Sequence, residues 1–191
     1  SQLVYNTFSV DPEGCRDIDD AFHVTIFDEG VEIGVHIADV ASKLNLEKLD
    51  INFFSSIYLD DGQINMLSDK LTFDEASLGN GEIKRAISLL LNYDFDKKTN
   101  TYSLRDFKFA SCQVKNKALT YKNADKKIAK GDLNFKVLYD IAKQYSGMRD
   151  CVTPIPATKI VEYFMLLYNT TTAETLYKVN PATILRRHVK A

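Results

Sequence analysis

The chain of 191 residues contains few cysteines and no long run of apolar residues. Its three cysteines are Cys15, Cys112 and Cys151, which lie far apart and form no C-x-x-C pair. An odd number of separated cysteines argues against a disulfide framework or a zinc site and indicates reduced thiols. The absence of a long apolar run and of a signal-like start predicts no membrane span and no secretion. We therefore expect an intracellular protein, cytoplasmic or nuclear, that has no contact with a membrane.

The motifs of several common catalytic and metal-binding sites are also missing. The sequence has no G-x-x-x-x-G-K-[ST] phosphate loop and no H-E-x-x-H zinc helix. An EF-hand loop that starts at Asp17 requires glycine at its sixth position, where Phe22 stands. No repeat, low-complexity tract or linker divides the chain, and its 45% hydrophobic and 26% charged residues are typical of a globular protein. We expect a single domain of the α+β class.

What the sequence does contain is a cluster of acidic residues near its start. Four aspartates fall within ten residues, namely Asp11, Asp17, Asp19 and Asp20. Carboxylates repel one another, so a fold that gathers them needs divalent cations, raised pKa values or open solvent. Residues 3–5 before the cluster are largely apolar, and residues 21–27 after it have the composition of a strand. These flanks argue against open solvent and predict a magnesium site between strands.

The four carboxylates can converge only if the chain turns. In an extended segment Asp17 and Asp19 point the same way and Asp20 points the opposite way. Pro12 and Gly14 lie where a turn could bring Asp11 back towards the other three. Such a cluster could bind two Mg²⁺ ions through its oxygens, and these would activate water and neutralise phosphate charge in an in-line displacement. The alternative is an acidic surface turn without a function.

Charge is distributed unevenly along the chain. Residues 1–50 contain three basic residues and eleven acidic ones, whereas the rest contains 21 basic and 15 acidic residues. An acidic segment that faces a basic one suits a polyanion held over bound cations. Chance segregation of charge explains this feature equally well.

Hydrophobic periodicity predicts a β-rich first half and a helical second half, with a mixed or antiparallel sheet. Predicted strands cover residues 21–27, 31–37, 56–59, 63–67, 85–95 and 101–114, with a short helix at 46–54. Predicted helices cover residues 121–129, 135–145 and 158–177, the first of them after Thr120 as N-cap. Residues 160–168 are apolar nearly all round, which predicts deep burial of the last helix. We place the division between the two halves at residues 1–115 and 116–191.

Six blocks, in order along the chain, resemble one known family. The segment Asp-Pro-Glu-Gly-Cys-Arg-Asp-Ile-Asp-Asp-Ala of residues 11–21 resembles the signature of the RNB family. This family comprises hydrolytic exoribonucleases and includes ribonucleases II and R and the catalytic subunit of the eukaryotic exosome. The Pro-Glu-Gly-Cys variant is more similar to the eukaryotic branch. Further blocks resemble the family at residues 33–40, 56–67, 119–121, 159–167 and 181–188.

The resemblance implies a Mg²⁺-dependent enzyme that degrades single-stranded RNA from its 3′ end and releases 5′-nucleoside monophosphates. Two Mg²⁺ ions are expected, with Mn²⁺ as a substitute. By motif, the metal ligands and catalytic carboxylates are Asp11, Asp17, Asp19 and Asp20. Tyr58 would lie against the terminal nucleotide, and Tyr121 and Glu162 would contact the ribose, where the 2′-hydroxyl distinguishes RNA from DNA. From the residues alone, core packing for the two tyrosines and a solvent-facing edge for Glu162 remain open.

The chain also departs from the family pattern. It ends at Ala191, before any block similar to the one that supplies the family's catalytic arginine. We therefore expect an RNB-like domain that is incomplete at its C-terminus, and some apolar surface left exposed on the last helix. Its partners would be single-stranded RNA and either the missing part of the domain or a larger RNA-decay complex. The alternative to an exoribonuclease is a non-catalytic RNA-binding module of the same ancestry, and a third possibility is a metal-binding scaffold.

Overall fold

The structure, a computed structural model, describes residues 3–39, 77–146 and 155–179. Five strands and three helices follow one another in these segments. The strands are β1 (Val4–Asp11), β2 (Asp20–Ile26), β3 (Gly30–Ala38), β4 (Ile83–Asp96) and β5 (Thr101–Thr120). The helices are α1 (Tyr121–Ala129), α2 (Leu133–Tyr145) and α3 (Ala157–Val179). The predicted α+β class is confirmed.

The five strands close into a barrel in the order β1-β2-β3-β4-β5. Neighbouring strands are antiparallel except for β1 and β5, which run parallel with Val4 beside Gln113 and Asp11 beside Thr120. The sheet is therefore mixed, as predicted. Because β5 must reach β1, it continues six residues past the predicted end at 114. That extension ends at the residue that caps α1.

Alternation along the strands gives the barrel an outer apolar face and an inner face that is largely polar. On β3, every second residue from Val31 to Ile37 packs against the helices, in a core that includes Leu138, Phe164 and Tyr168. The intervening side chains of β3 point into the barrel. The barrel and its helices thus share one apolar layer, and the interior of the barrel combines hydrogen bonds with a smaller apolar cluster that includes Ala21, Ala86 and Val114.

Two histidines form the centre of a buried hydrogen-bond chain inside the barrel. His23 Nδ1 lies 2.7 Å from His36 Nε2, His23 Nε2 lies 2.8 Å from Glu32 Oε1, and His36 Nδ1 lies 2.6 Å from Ser88 Oγ. An ionised carboxylate such as that of Glu32 can only accept hydrogen bonds, so all donors point the same way. Ser88 donates to His36, His36 donates to His23, and His23 donates to Glu32. Both imidazoles are neutral and fully bonded in this arrangement. The chain joins β2, β3 and β4 across the barrel.

The helix boundaries follow their caps. Thr120 Oγ1 accepts a hydrogen bond from the Asn123 amide, so α1 begins and ends where the sequence predicted. Asp132 caps α2 by accepting from the Phe135 amide, which starts this helix two residues earlier than predicted. The side chain of Asp125 accepts from the Ala157 amide and so ties the start of α3 to α1.

The prediction of deep burial for the last helix is wrong. One face of α3 packs on the barrel through Ile160, Phe164 and Tyr168, whereas Leu166 is 64% exposed. Apolar composition indicated burial but not its face, and the described elements cover only one side. The expectation of exposed apolar surface on this helix is met. No described helix has the length and apolar character needed to cross a membrane.

Candidate active site at the acidic end of the barrel

Two of the four predicted aspartates lie where strands begin and end. Asp11 is the last residue of β1 and lies beside Thr120, so it faces the start of α1. Asp20 is the first residue of β2 and pairs with Ile37 near the end of β3. Because β1 and β2 are antiparallel, the end of one and the start of the other meet at the same edge of the barrel.

An irregular loop, residues 12–19, connects these two strand ends and carries Asp17 and Asp19. It starts with a turn in which the Cys15 amide donates to the Pro12 carbonyl at 3.1 Å. Gly14 has a φ of +78°, a conformation that favours glycine. This is the turn that the sequence predicted around Pro12 and Gly14.

Buried hydrogen bonds hold the second half of the loop. The Ser77 hydroxyl accepts from the Ile18 amide at 2.9 Å and donates to the Arg16 carbonyl at 3.1 Å. The Leu78 amide donates to the Ile18 carbonyl at 2.9 Å. The loop therefore keeps a defined path although it belongs to no strand.

The electrostatics show that the aspartates share one region. Burial and then the charges of Asp17 and Asp11 raise the pKa of Asp19 to about 6. Burial, Asp11 and Asp19 raise the pKa of Asp20 to about 7. Burial also raises the pKa of Asp11, against a hydrogen bond from Ser9 that lowers it. Three of the four carboxyl groups thus have raised pKa values, and Asp17 faces solvent at the edge of the group.

Two oxygens in this cluster are buried without a hydrogen-bond partner: Oδ2 of Asp11 and Oδ2 of Asp20. An unpaired buried carboxylate oxygen is costly, because the interior replaces neither its water nor its counterion. Each such oxygen in a folded protein therefore requires a proton, a water molecule, an ion or a ligand. Here the two lie on groups that also repel each other.

The donor chemistry fits a hard divalent cation such as Mg²⁺, which prefers carboxylate oxygens. The geometry fits less well, since no three His, Cys, Asp or Glu residues in the described parts of the chain are placed to hold a metal ion. The carboxylates are thus gathered at one barrel edge but do not form a complete coordination shell.

Tyr121 lies at the same edge. It is the first residue of α1 and packs with Val10 and Leu119 in an apolar cluster. Its pKa is raised by burial and then by the charges of Asp11 and Asp20, which places its phenol in their field. The residue therefore combines core packing with a position beside the acidic cluster.

Glu162 does not lie in the acidic cluster. Glu162 faces solvent on α3, 68% exposed at its side chain, and forms an ion pair with Lys159 at 3.3 Å. The solvent-facing edge that the sequence left open for Glu162 is therefore what the structure shows. Tyr58, the helix at 46–54, the strands at 56–67 and the block at 181–188 lie outside the described residues.

Sequence reasoning missed Ser77, whose hydroxyl bridges the loop. No spacing or motif pointed to it, because its contacts join residues 59 and 61 positions apart. It also left Asp39 outside the site. Asp39 follows β3 at the same barrel edge, is 6% exposed, and donates its amide to the Arg85 carbonyl at 3.1 Å. The His-Ile-Ala-Asp-Val block of residues 36–40 was the available signal for Asp39.

The sequence of this chain matches the model of one known protein family. The family model described as "RNB domain" matches residues 3–150, and the chain belongs to this family. The exosome complex exonuclease RRP44 homolog A of Arabidopsis thaliana is 30% identical over 221 residues, covering 95% of this chain and 23% of that protein. Ribonuclease R 2 of Lactococcus lactis is 30% identical over 130 residues, covering 65% and 19%. The chain spans less than a quarter of the length of these relatives.

Solved structures share the fold. The Dss1 exoribonuclease active-site mutant of Candida glabrata superposes with a TM-score of 0.67 at 18% identity, covering 95% of this chain and 32% of that one. Mycoplasma genitalium RNase R in complex with double-stranded RNA superposes with a TM-score of 0.63 at 17% identity, covering 94% of this chain and 38% of that one. Yeast Ssd1, described as a pseudonuclease, gives 0.66 at 18% identity, covering 92% and 25%. The same fold therefore occurs in nucleases and in a pseudonuclease.

The raised pKa values predict an unusual dependence of stability on pH. A carboxyl group whose pKa is higher in the folded than in the unfolded protein binds more protons when folded. Its contribution to the stability of the folded protein is therefore largest below about pH 4. For Asp20 this contribution is lost as the pH rises to about 7. Asp20→Asn is expected to raise the free energy of unfolding at pH 8 in EDTA by on the order of 2 kcal/mol.

Urea unfolding of wild type and Asp20→Asn at pH 5 and pH 8 measures this effect. His36, whose pKa burial lowers to about 3, acts in the opposite sense at acid pH, so the two proteins are compared at each pH. Asp28→Asn, in the exposed β2–β3 turn, is the control. Equal stability of Asp20→Asn and wild type at pH 8 would contradict the prediction.

Proposed function

We propose that this chain contains the acidic half of the active site of a Mg²⁺-dependent exoribonuclease that degrades single-stranded RNA from its 3′ end. The products are 5′-nucleoside monophosphates. The observation that carries the proposal is the pair of buried, unpartnered oxygens on Asp11 and Asp20 beside Tyr121. Membership of the RNB family and similarity to exonucleases support it.

In this proposal Asp11, Asp17, Asp19 and Asp20 hold the metal, as two Mg²⁺ ions or as Mn²⁺ in their place. When bound, the metal lowers the pKa of water and offsets the charge of the phosphate. Without it the four carboxylates would repel the RNA backbone, so the same residues exclude a polyanion until a cation is present. RNA binding at this edge and cation binding are therefore coupled.

Burial, together with the charges of Asp17 and Asp11 around it, raises the pKa of Asp19 to about 6. We propose that Asp19 accepts the proton of the attacking water. A bound cation would lower the pKa of Asp19.

Tyr121 is assigned to the sugar. Its phenol, in the field of Asp11 and Asp20, would contact the ribose of the nucleotide being removed. A hydrogen bond to the 2′-hydroxyl would favour RNA over DNA. Glu162, at the start of the exposed face of α3, and Tyr58 complete the proposed RNA contacts. A larger RNA-decay complex, or the rest of the domain, would supply the arginine for the reacting phosphate.

A non-catalytic RNA-binding module is the second candidate. One observation favours it: the described carboxylates do not form a ready set of three ligands. The pseudonuclease Ssd1 shows that the fold exists without catalysis. Four clustered carboxylates have no evident use in such a module, however, since they repel RNA. We therefore rank it below the exoribonuclease.

The experiment is degradation of 5′-labelled single-stranded RNA by the wild-type chain in MgCl₂, resolved on a sequencing gel. We expect a ladder that shortens from the 3′ end, no reaction in EDTA, and no reaction with a DNA oligonucleotide of the same sequence. RNA that binds without shortening would favour the non-catalytic module.

A further inference from the structure

The hydroxyl of Ser77 is buried against the backbone of the acidic loop, residues 12–19. Ser77 is 4% exposed, and its Oγ lies 2.9 Å from the Ile18 nitrogen and 3.1 Å from the Arg16 carbonyl oxygen. The two peptide groups that it joins are those on either side of Asp17. The hydroxyl donates to one and accepts from the other, so both of its hydrogen-bonding roles are used.

This bridge fixes the backbone that carries two of the carboxylates. Residues 12–19 belong to no strand, so no ladder of hydrogen bonds sets their dihedral angles. The Leu78 amide adds a bond to the Ile18 carbonyl, and the Ala38 amide adds one to the Asp19 carbonyl at 2.8 Å. Ser77 is the one described side chain that binds the loop backbone from another part of the chain. Its loss would leave the path between Asp17 and Asp19 less defined.

We propose that Ser77 is a positioning residue, which orients Asp17 and Asp19 for cation binding and catalysis without touching the substrate. This inference rests on the proposed function. Residues that orient metal ligands in this way typically change metal affinity by about 10- to 100-fold when they are removed. A side chain that only filled space would affect stability alone.

Ser88 provides a matched control. It is also a buried serine, 0% exposed, and its hydroxyl bonds to His36 inside the barrel and not to the acidic loop. Ser77→Ala and Ser88→Ala should both lower the melting temperature. Only Ser77→Ala should weaken Mn²⁺ binding by about 10- to 100-fold, speed hydrogen exchange at the Ile18 amide, and lower kcat with little change in KM. Ser77→Thr, which keeps the hydroxyl, should restore both binding and exchange.

The readouts separate the failure of this inference from the failure of the proposed function. Mn²⁺ binding is measured by calorimetry without RNA, and exchange is measured in EDTA. Unchanged exchange at Ile18 in Ser77→Ala, or the same Mn²⁺ affinity as in Ser88→Ala, would overturn the positioning role. A wild-type chain that neither binds Mn²⁺ nor shortens RNA would overturn the proposed function, and the positioning role with it.

A second observation, independent of the first, concerns the outer wall of the barrel. A groove of about 520 Å³ runs along β1 and β5 and is bounded by α1 and the start of α2. Its lining is rich in cations and amides, with Lys115, Lys117, Lys127, Asn6, Asn80 and Asn134. Asp132 is the one acidic residue of the lining, and Lys127 lies 3.9 Å from its carboxylate.

The arrangement of the lysines suits an extended polyanion. Lys115 and Lys117 project from the same face of β5, about 6.6 Å apart as every second residue of a strand. Their partners across the β1–β5 pair are Asn6 and Phe8, so amide and aromatic groups alternate with charge along the groove. Phe8 is half-buried and contacts Phe135 at a ring-centroid distance of 4.9 Å. Lysines beside a partly exposed aromatic are typical of surfaces that bind single-stranded nucleic acid.

The groove also lies close to the acidic edge. Phe8 is three residues from Asp11 on the same strand, a distance of about 10 Å. We infer that the groove binds the phosphates of single-stranded RNA upstream of the nucleotide at the acidic edge. The chain would then bind RNA phosphates through its own lysines on the wall of the barrel and through bound metal ions at the acidic edge.

Fluorescence anisotropy in EDTA tests this inference without cleavage, with labelled RNAs of 4 and 12 nucleotides. Replacing both Lys115 and Lys117 by alanine should weaken binding of the longer RNA by about tenfold and reduce its salt slope by about 1.4. The 4-nucleotide RNA, which has fewer phosphates, should bind more weakly than the longer RNA to every variant in EDTA. Lys97→Ala with Lys98→Ala, in the β4–β5 turn at the opposite end of β5, is the matched control.

Equal losses of RNA affinity in the two double variants would overturn the proposal that the groove binds RNA. A groove variant that binds the longer RNA like wild type would do the same. So would a wild-type chain that binds no RNA at low salt. If the wild-type chain binds RNA without cleaving it and the groove variant loses that binding, the result would support RNA binding in the groove. It would also count against the proposed nuclease.

Discussion

Replacing Asp19 by asparagine is expected to slow the release of nucleotides from RNA by about 10²- to 10⁴-fold, the loss typical when a general base is removed. The asparagine keeps the size of the side chain but can neither take a proton nor bind a cation with a full charge. It also relieves repulsion from Asp17 and Asp11, so the fold should be no less stable. Gel assays of 5′-labelled RNA in MgCl₂ measure the rate.

Asp28→Asn is the matched control, because it makes the same chemical change in an exposed turn at the other end of β2. Its rate should equal that of wild type. RNA affinity of Asp19→Asn in EDTA should also be unchanged or higher, since one negative charge is gone. Undiminished cleavage by Asp19→Asn would remove Asp19 from the mechanism.

Replacing Gly34 by alanine, the addition of one methyl group, is expected to lower the free energy of unfolding by about 3 kcal/mol. A Cβ at this position would lie 2.1 Å from His23 Nδ1 and 2.5 Å from His36 Nε2. These are the two atoms that form the central hydrogen bond of the buried chain. The methyl group would therefore displace both rings and break a bond that has no access to water.

Gly79→Ala is the comparison for this prediction. A Cβ at Gly79 would meet only the Ser77 carbonyl oxygen at 3.9 Å, which is an ordinary contact. Its stability should stay close to that of wild type, within about 0.5 kcal/mol. Urea unfolding followed by circular dichroism measures both variants. Similar stability of the two would show that the histidine chain is not needed to hold the barrel together.

The features that the sequence predicted well are local ones. The cap at Thr120, the turn at Pro12 and Gly14, and the helix boundaries depend on neighbours within a few residues. The acidic cluster belongs to the same group, because the four carboxylates lie within ten residues. Their close placement needed one turn and the start of one strand.

The features that sequence reasoning missed depend on contacts between distant residues. Closure of the barrel joins Thr7 to Asn116, 109 positions along the chain, and no local pattern specifies that pairing. Ser77 could not be predicted for the same reason. For α3, the composition predicted burial, but the exposed Leu166 depends on which elements cover the helix. Distant pairing and the choice of a buried face are decided by the whole fold and not by a segment.

The pairing of the first strand with the last also has a consequence for synthesis. Strand β1 leaves the ribosome before its partner β5, which follows more than a hundred residues later. At about 5–20 residues per second, β1 waits on the order of ten seconds before the barrel can close. Asp11 and Thr120 meet only then, so a nascent chain carries all four aspartates but no finished acidic edge. The acidic edge is therefore completed only after residue 120 has been synthesised.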